Sequence, residues 1–146
     1  MKCSDRGIAL VKEFEGFRPT VYADAGGKAT VGYGHLLRRG ETFGTLSEAV
    51  ATELLCRDLE VAEACVDDAV DAPLQQCQFD ALCSFVYNVG CRAFQKSTLL
   101  QKLNRMDYSG AGYEFPKWSR VGVTQSPGLL RRREAELSLF MSGGAQ

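Results

Sequence analysis

With 146 residues, 45% of them hydrophobic and 24% charged, the chain has enough apolar material for one domain to bury a core without relying on covalent staples. Such proportions speak against disordered and membrane-embedded classes. The formal net charge of −1 conceals an uneven distribution, with 7 basic and 5 acidic groups over residues 1–44, 1 and 9 over 45–91, and 9 and 4 over 92–146. An acidic middle between basic flanks reads either as the walls of a cleft or as one solvated acidic helix face. No continuous basic stripe interleaved with aromatics appears, so a nucleic-acid partner is not expected.

From Met1 to Gly7 there is no apolar run of the length a secretory signal needs, and no membrane anchor is expected. The first helix starts at Ser4 or Asp5, either of which can cap it, and places Ile8, Val11 and Phe14 on one face. Gly16 stops it. Glu15 therefore stands at a helix carboxyl end, where the dipole disfavours a negative charge.

Thr20–Ala23 and Ala29–Val31 read as strands of a hairpin around Ala25-Gly26-Gly27-Lys28. A loop closing between Asp24 and Thr30 would set that carboxylate and hydroxyl side by side on a solvent-facing turn. Gly40–Gly44 is a possible third strand. A long helix then begins between Thr45 and Glu48 and runs to about Val70, carrying Val50, Leu54, Leu55, Leu59, Ala62 and Val66 at helical spacing, until Pro73 breaks it. Gln75–Asn88 is a helix burying Phe79, Leu82, Phe85 and Val86, with Gly90 as its stop. Shorter helices follow over Ser97–Arg105 and Tyr108–Phe115, and a last one over Leu129–Met141.

The fold class expected is α+β in one domain. Residues 1–45 form a small lobe with a hairpin or three-stranded sheet, 46–72 a connecting helix, and 73–146 a helical lobe. The six cysteines, Cys3, Cys56, Cys65, Cys77, Cys83 and Cys91, include no C-x-x-C, and with a single histidine no metal site is expected. They allow about fifteen complete pairings and read either as disulfides in an oxidising compartment or as buried free thiols.

Glu15, Asp24 and Thr30, separated by eight and five residues, carry the chemistry. Cleavage of a glycosidic bond needs one carboxyl that keeps its proton for the leaving oxygen and a second polar group that holds water or stabilises positive charge. Glu15, at its helix end beside Phe14 and Phe17, suits the first role; Asp24 and Thr30 suit the second.

This triplet stands in a wider pattern. Glu15-Gly16-Phe17 precedes it, and Thr30-Val31-Gly32-Tyr33-Gly34-His35-Leu36-Leu37 closes it. Further along come Pro73-Leu74, Phe79-Asp80-Ala81-Leu82, Asn88-Val89-Gly90, Ser97-Thr98-Leu99-Leu100 and Pro127-Gly128-Leu129 followed by Arg131-Arg132-Arg133-Glu134. Over nearly its whole length the chain resembles the lysozymes of phage endolysins that include the T-even phage lysozyme, glycoside hydrolase family twenty-four.

The resemblance implies a lysozyme-like fold and a muramidase cutting the β-1,4 bond between N-acetylmuramic acid and N-acetylglucosamine in peptidoglycan glycan strands. It implies Glu15 as proton donor, Asp24 and Thr30 as the pair placing water, inversion at the anomeric carbon, and no cofactor. It also implies a His35–Asp58 structural pair, a Cys65–Cys91 bridge, and one arginine among Arg131, Arg132 and Arg133 near Glu15, a cluster that reads alternatively as a contact for anionic peptide stems. Tyr33, Phe43 and Asn88 are candidates for the sugar groove, as is Trp118, although Phe43 and Trp118 read equally well as core. Pro116 departs from the family pattern and should end or kink its helix early. A monomer acting in the periplasm is expected, released by a separate holin or after loss of a leader. The rival readings are an inactive peptidoglycan-binding module and a lytic transglycosylase.

Overall fold

The computed structural model describes residues 1–143. Helix α1, Asp5–Glu15, ends at Gly16, whose φ of 72° suits a residue without a β-carbon. Ser4 occupies the N-cap position but does not cap its own helix. Its amide donates to Asp80 Oδ1 at 2.9 Å and its hydroxyl donates to the other oxygen of the same carboxylate, so the helix start is fastened to a later element instead.

Strands β1, Arg18–Ala23, β2, Ala29–Gly32, and β3, His35–Leu36, form an antiparallel sheet in that order. Tyr22 faces Thr30 and Ala23 faces Ala29. Asp24 therefore lies diagonally from Thr30, two residues beyond Thr30's direct partner, not beside it as expected. The third strand also differs from expectation. Gly40–Gly44 is non-strand, because the tight reversal at Tyr33-Gly34 returns the chain at once and pairs Val31 with His35.

Helix α2, Glu48–Ala69, begins where the Ser47 side chain accepts from the Val50 amide at 3.2 Å. Helix α3, Gln76–Val89, opens with a reciprocal cap between Gln75 and Gln78 and stops at Gly90. After these come α4, Cys91–Gln95, α5, Thr98–Asn104, and α6, Tyr108–Gly112. Pro116 sits in a short 3-10 helix, Phe115–Lys117, at a first-turn position where its missing N–H leaves no bond unmade. The helix expected over Tyr108–Phe115 accordingly ends early. Strands β4, Arg120–Val121, and β5, Thr124–Gln125, make a small hairpin before α7, Pro127–Met141. Neither α4 nor this hairpin was predicted, since five and two residues are too few to display a period.

Two apolar clusters organise the molecule. The larger gathers Phe79, Leu82 and Phe85 of α3 with Phe94, Leu99, Leu103, Phe115 and Phe140, all at most 1% exposed. Each such side chain contributes about 1.5–3 kcal/mol on burial. The smaller holds Val11, Tyr33, Ala51, Leu55 and Leu59. Helix α2 supplies residues to both, Leu55 and Leu59 to one and Ala62, Cys65 and Val66 to the other, and so fixes the sheet against the helices. A disulfide between Cys65 and Cys91, 26 residues apart, ties α2 to the start of α4. Cys3, Cys56, Cys77 and Cys83 are free.

Candidate active site

A cavity of about 440 Å³ opens between the sheet and the helices, and Glu15, Asp24 and Thr30 all line it, together with Tyr22, Tyr87 and Asn88. Each is brought there by a different local device. Glu15 is the last residue of α1, released by Gly16 toward the hairpin. Asp24 sits at the mouth of the β1–β2 turn, where the amides of Gly26 and Lys28 donate to its Oδ1 at 2.9 and 2.8 Å. That pair of bonds orients the carboxylate and leaves its second oxygen without a protein hydrogen bond among the described residues. Thr30 is only 3% exposed, so it is not on a solvent-facing turn as expected; its hydroxyl donates to the Lys28 carbonyl at 3.0 Å and keeps its lone pairs to accept from another donor.

Of the three arginines left open by the sequence, Arg132 reaches Glu15. Its Nη1 donates to Glu15 Oε2 at 2.7 Å, with the arginine side chain 5% and the glutamate side chain 20% exposed. Arg133 is fully buried and donates to Asn88 Oδ1 at 2.6 Å. Arg131 is exposed and, with Arg132, lines a second cavity of about 500 Å³ that shares Glu15 and Asn88 with the first. The two cavities therefore adjoin at Glu15 and Asn88.

His35 is buried and bonds Asp58 Oδ2 through Nδ1 at 2.8 Å, as the resemblance implied, and Glu41 Oε1 through Nε2 at 3.0 Å, a partner not foreseen. Burial pulls the imidazole pKa down, but the hydrogen bonds and charges of Asp58 and Glu41 outweigh it and hold the value above the usual 6.5. Protonated, the ring donates to both carboxylates and staples β3 to α2 and to the loop after the sheet. With both nitrogens engaged, it has none left for a substrate.

Two groove candidates are corrected. Tyr33 is 8% exposed and belongs to the small core, with the Lys12 ammonium 5.3 Å from its ring centroid. Period-2 alternation ends at the Gly32–Gly34 turn, and this turns Tyr33 inward rather than toward the groove. Phe43 packs edge-on against His35, ring centroids 5.7 Å apart, and does not line the cavity. Trp118 takes its alternative reading as core, standing edge-on to Phe85 at 5.4 Å. Asn88 alone of the proposed sugar contacts faces the groove.

The Phage lysozyme family profile matches residues 12–136, which contain this entire constellation. The chain belongs to the phage lysozyme family. As a member it is a lysozyme-type glycosidase. It is 43% identical to the endolysin of Acyrthosiphon pisum secondary endosymbiont phage 1, over 97% of this chain and 99% of that one. It is 41% identical to the endolysin of Bacillus phage B103, over 98% of this chain but only 55% of that protein, so the chain spans about half the length of that relative. Among solved structures, an endolysin from Escherichia coli O157:H7 phage FAHEc1 superposes with a TM-score of 0.91 at 31% identity, covering 100% of this chain and 97% of that one.

For this phage-lysozyme chain the sequence reading overlooked three groove residues. Tyr87 lies one position before Asn88, and its hydroxyl donates to the Tyr33 carbonyl at 3.1 Å, tying α3 to the sheet turn. Burial, with the charge of Glu15 behind it, pushes the Tyr87 pKa well above its ordinary value, so it stays a neutral donor. Tyr22 presents its ring at the cavity with the Arg18 guanidinium 4.1 Å from the centroid. Alternation along β1 puts Tyr22 on the same face as Asp24, a signal that could have found it. Gly34 completes the floor beside Glu15, and only coordinates reveal that closeness. No helix among the described residues is long and apolar enough to cross a membrane.

Proposed function

We propose that the chain is an N-acetylmuramidase hydrolysing the β-1,4 bond between N-acetylmuramic acid and N-acetylglucosamine in peptidoglycan, with inversion, as the lytic enzyme that opens a bacterial wall from the periplasmic side. The observation that carries this reading is that Glu15, Asp24 and Thr30 line one cavity of about 440 Å³.

Glu15 Oε2 is engaged by Arg132, so Oε1, toward Gly34, is the oxygen that presents a proton to the glycosidic oxygen. Asp24, held by two backbone amides, keeps its other oxygen toward a water molecule. The Thr30 hydroxyl, already donating to Lys28, accepts from that same water. As the bond to the leaving sugar breaks, the Asp24 carboxylate takes a proton from the water, which attacks the anomeric carbon from the opposite face. Tyr22, Tyr87 and Asn88 offer ring faces and an amide to the pyranose units.

The test is clearing of permeabilised Gram-negative cells by wild type and by Glu15→Gln. Loss of clearing in the variant is expected; equal clearing refutes the assignment, and a wild type that binds sacculi without clearing them indicates a binding module. Mass spectrometry of released muropeptides is expected to show hydrated reducing ends. Products lighter by one water would instead mean a transglycosylase.

A further inference from the structure

Behind the groove lies a carboxylate that the proposed mechanism does not use. Glu136 on α7 is fully buried, yet its Oε2 accepts from the Ser84 hydroxyl at 2.6 Å and stands 3.4 Å from Arg132 Nε, while its Oε1 is 2.9 Å from Arg133 Nε. The two arginines then diverge. Arg132 continues through Nη1 to Glu15, and its Nη2 donates to the Ser84 carbonyl at 3.2 Å; Arg133 continues through Nη2 to Asn88. Ser84 and Asn88 are one turn apart on α3, and Arg132, Arg133 and Glu136 fall within one turn of α7. A single buried anion therefore anchors two cations, each of which ends on a residue lining the groove.

Stability alone does not account for this arrangement. Replacing buried ion pairs with packed apolar side chains is often neutral or stabilising, because desolvation offsets much of the attraction. The Phe85 ring, its centroid 5.0 Å from the Arg133 guanidinium, offsets part of that desolvation, but Arg133 Nε and Nη1 and Glu136 Oε1 lack an aligned hydrogen bond, so the cluster is held at a cost the core does not require. What Glu136 does achieve is to divide the positive charge of Arg132 between two carboxylates. Without it, Glu15 would be the one anion that Arg132 touches.

We propose that Glu136 is a positioning residue for the reaction: through Arg132 it limits how strongly the guanidinium favours the ionised form of Glu15, and through Arg133 it fixes Asn88 in the groove. The inference rests on the muramidase reading with Glu15 as proton donor. Other groups facing Glu15 are Tyr87 from α3, Asp58 from α2, and Asp24 with Thr30 from the hairpin; Glu13 and Arg131 line the adjoining cavity. Glu136 itself faces Arg132, Arg133 and Ser84. Substituting Glu136 or Ser84 removes none of the groups that face Glu15.

The experiment is the pH profile of kcat/KM on purified sacculi for wild type and Glu136→Gln. Loss of the buried negative charge should let Glu15 give up its proton earlier, moving the alkaline limb of activity about 0.5–1 pH unit toward acid. Ser84→Ala, which keeps every charge and suits a helix, should move the limb in the same direction by less, and it stands in if Glu136→Gln does not fold. An alkaline limb that stays at its wild-type position in Ser84→Ala, and in Glu136→Gln where that folds, overturns the inference even if melting temperature or peak activity falls. Failure of the underlying reading would look different, because Glu15→Gln would then clear cells as wild type does.

Discussion

Gly34 lies against Glu15 so closely that a β-carbon added to it would stand 2.6 Å from Glu15 Oε1. The same residue has a φ of 81°, a conformation that L side chains seldom adopt, so backbone shape and active-site clearance make one demand at one position. Gly34→Ala is expected to cost about 1–2 kcal/mol of stability from the left-handed backbone alone. Activity should fall much further, by about a hundredfold, since a misplacement of the acid by an ångström is felt at that level. Thermal melts alongside turbidity assays check both halves; a variant that clears cells at wild-type rate would show that Oε1 is not the working oxygen.

Asp24→Asn separates charge from geometry. The asparagine carbonyl oxygen can still accept from the Gly26 and Lys28 amides, so the turn should persist and the melting temperature should change by only a few degrees. Loss of the carboxylate that we propose takes the proton from water should lower kcat by about 10²–10⁴. The Thr30 position is a poorer probe. Its near-complete burial means that Thr30→Glu would lose folding stability as well as activity.

The pairing of His35 with Asp58 and Glu41 makes stability depend on pH with a definite sign. A folded-state imidazole pKa held above the ordinary value means that the native state binds the proton more tightly than the unfolded chain does. The stabilisation is therefore complete below about 6.5 and is lost as pH rises through the folded value. His35→Gln should show its largest melting deficit against wild type near pH 5.5 and a smaller one at pH 9, and an NMR titration of the single histidine gives the folded value directly. A deficit that grows with pH would contradict the ion-pair geometry.

Thiol titration in denaturant should find four reactive cysteines before reduction and six after. In the native state exposed Cys56 should react first and buried Cys83 last, because hydrogen bonding to Cys3 together with burial pushes the Cys83 thiol pKa far up. Reducing the Cys65–Cys91 bridge should cost about 3.5 kcal/mol, the loop-closure entropy for its 26-residue separation. An unfolding free energy from denaturant melts that falls by less than about 1 kcal/mol on reduction would mean that α2 and α4 are held together without the bridge.

Along the chain, helix boundaries and the polar triplet were legible because both depend on local chemistry. Ser47 and Gly90 mark helix ends through backbone bonds within a few residues, and the run from Glu15 through Asp24 to Thr30 is compact enough for one motif to hold it. Pro116 announced an early helix end for the same reason. The third strand was misplaced because a two-residue strand has no period to read, and its pairing was decided by a turn.

Sequence by itself determined the fold class, the α1–hairpin order that carries Glu15, Asp24 and Thr30, and the family resemblance from which the His35–Asp58 and Cys65–Cys91 pairings were inferred. Tertiary structure decided which of three consecutive arginines meets Glu15, that Tyr33 turns into the core while Tyr22 and Tyr87 face the groove, and that Glu136 binds the two arginines from behind. The division has a physical cause: a side chain's chemistry travels with its residue, whereas its partner across 117 positions, as for Glu15 and Arg132, exists only after α1, α3 and α7 have packed and water has been excluded between them.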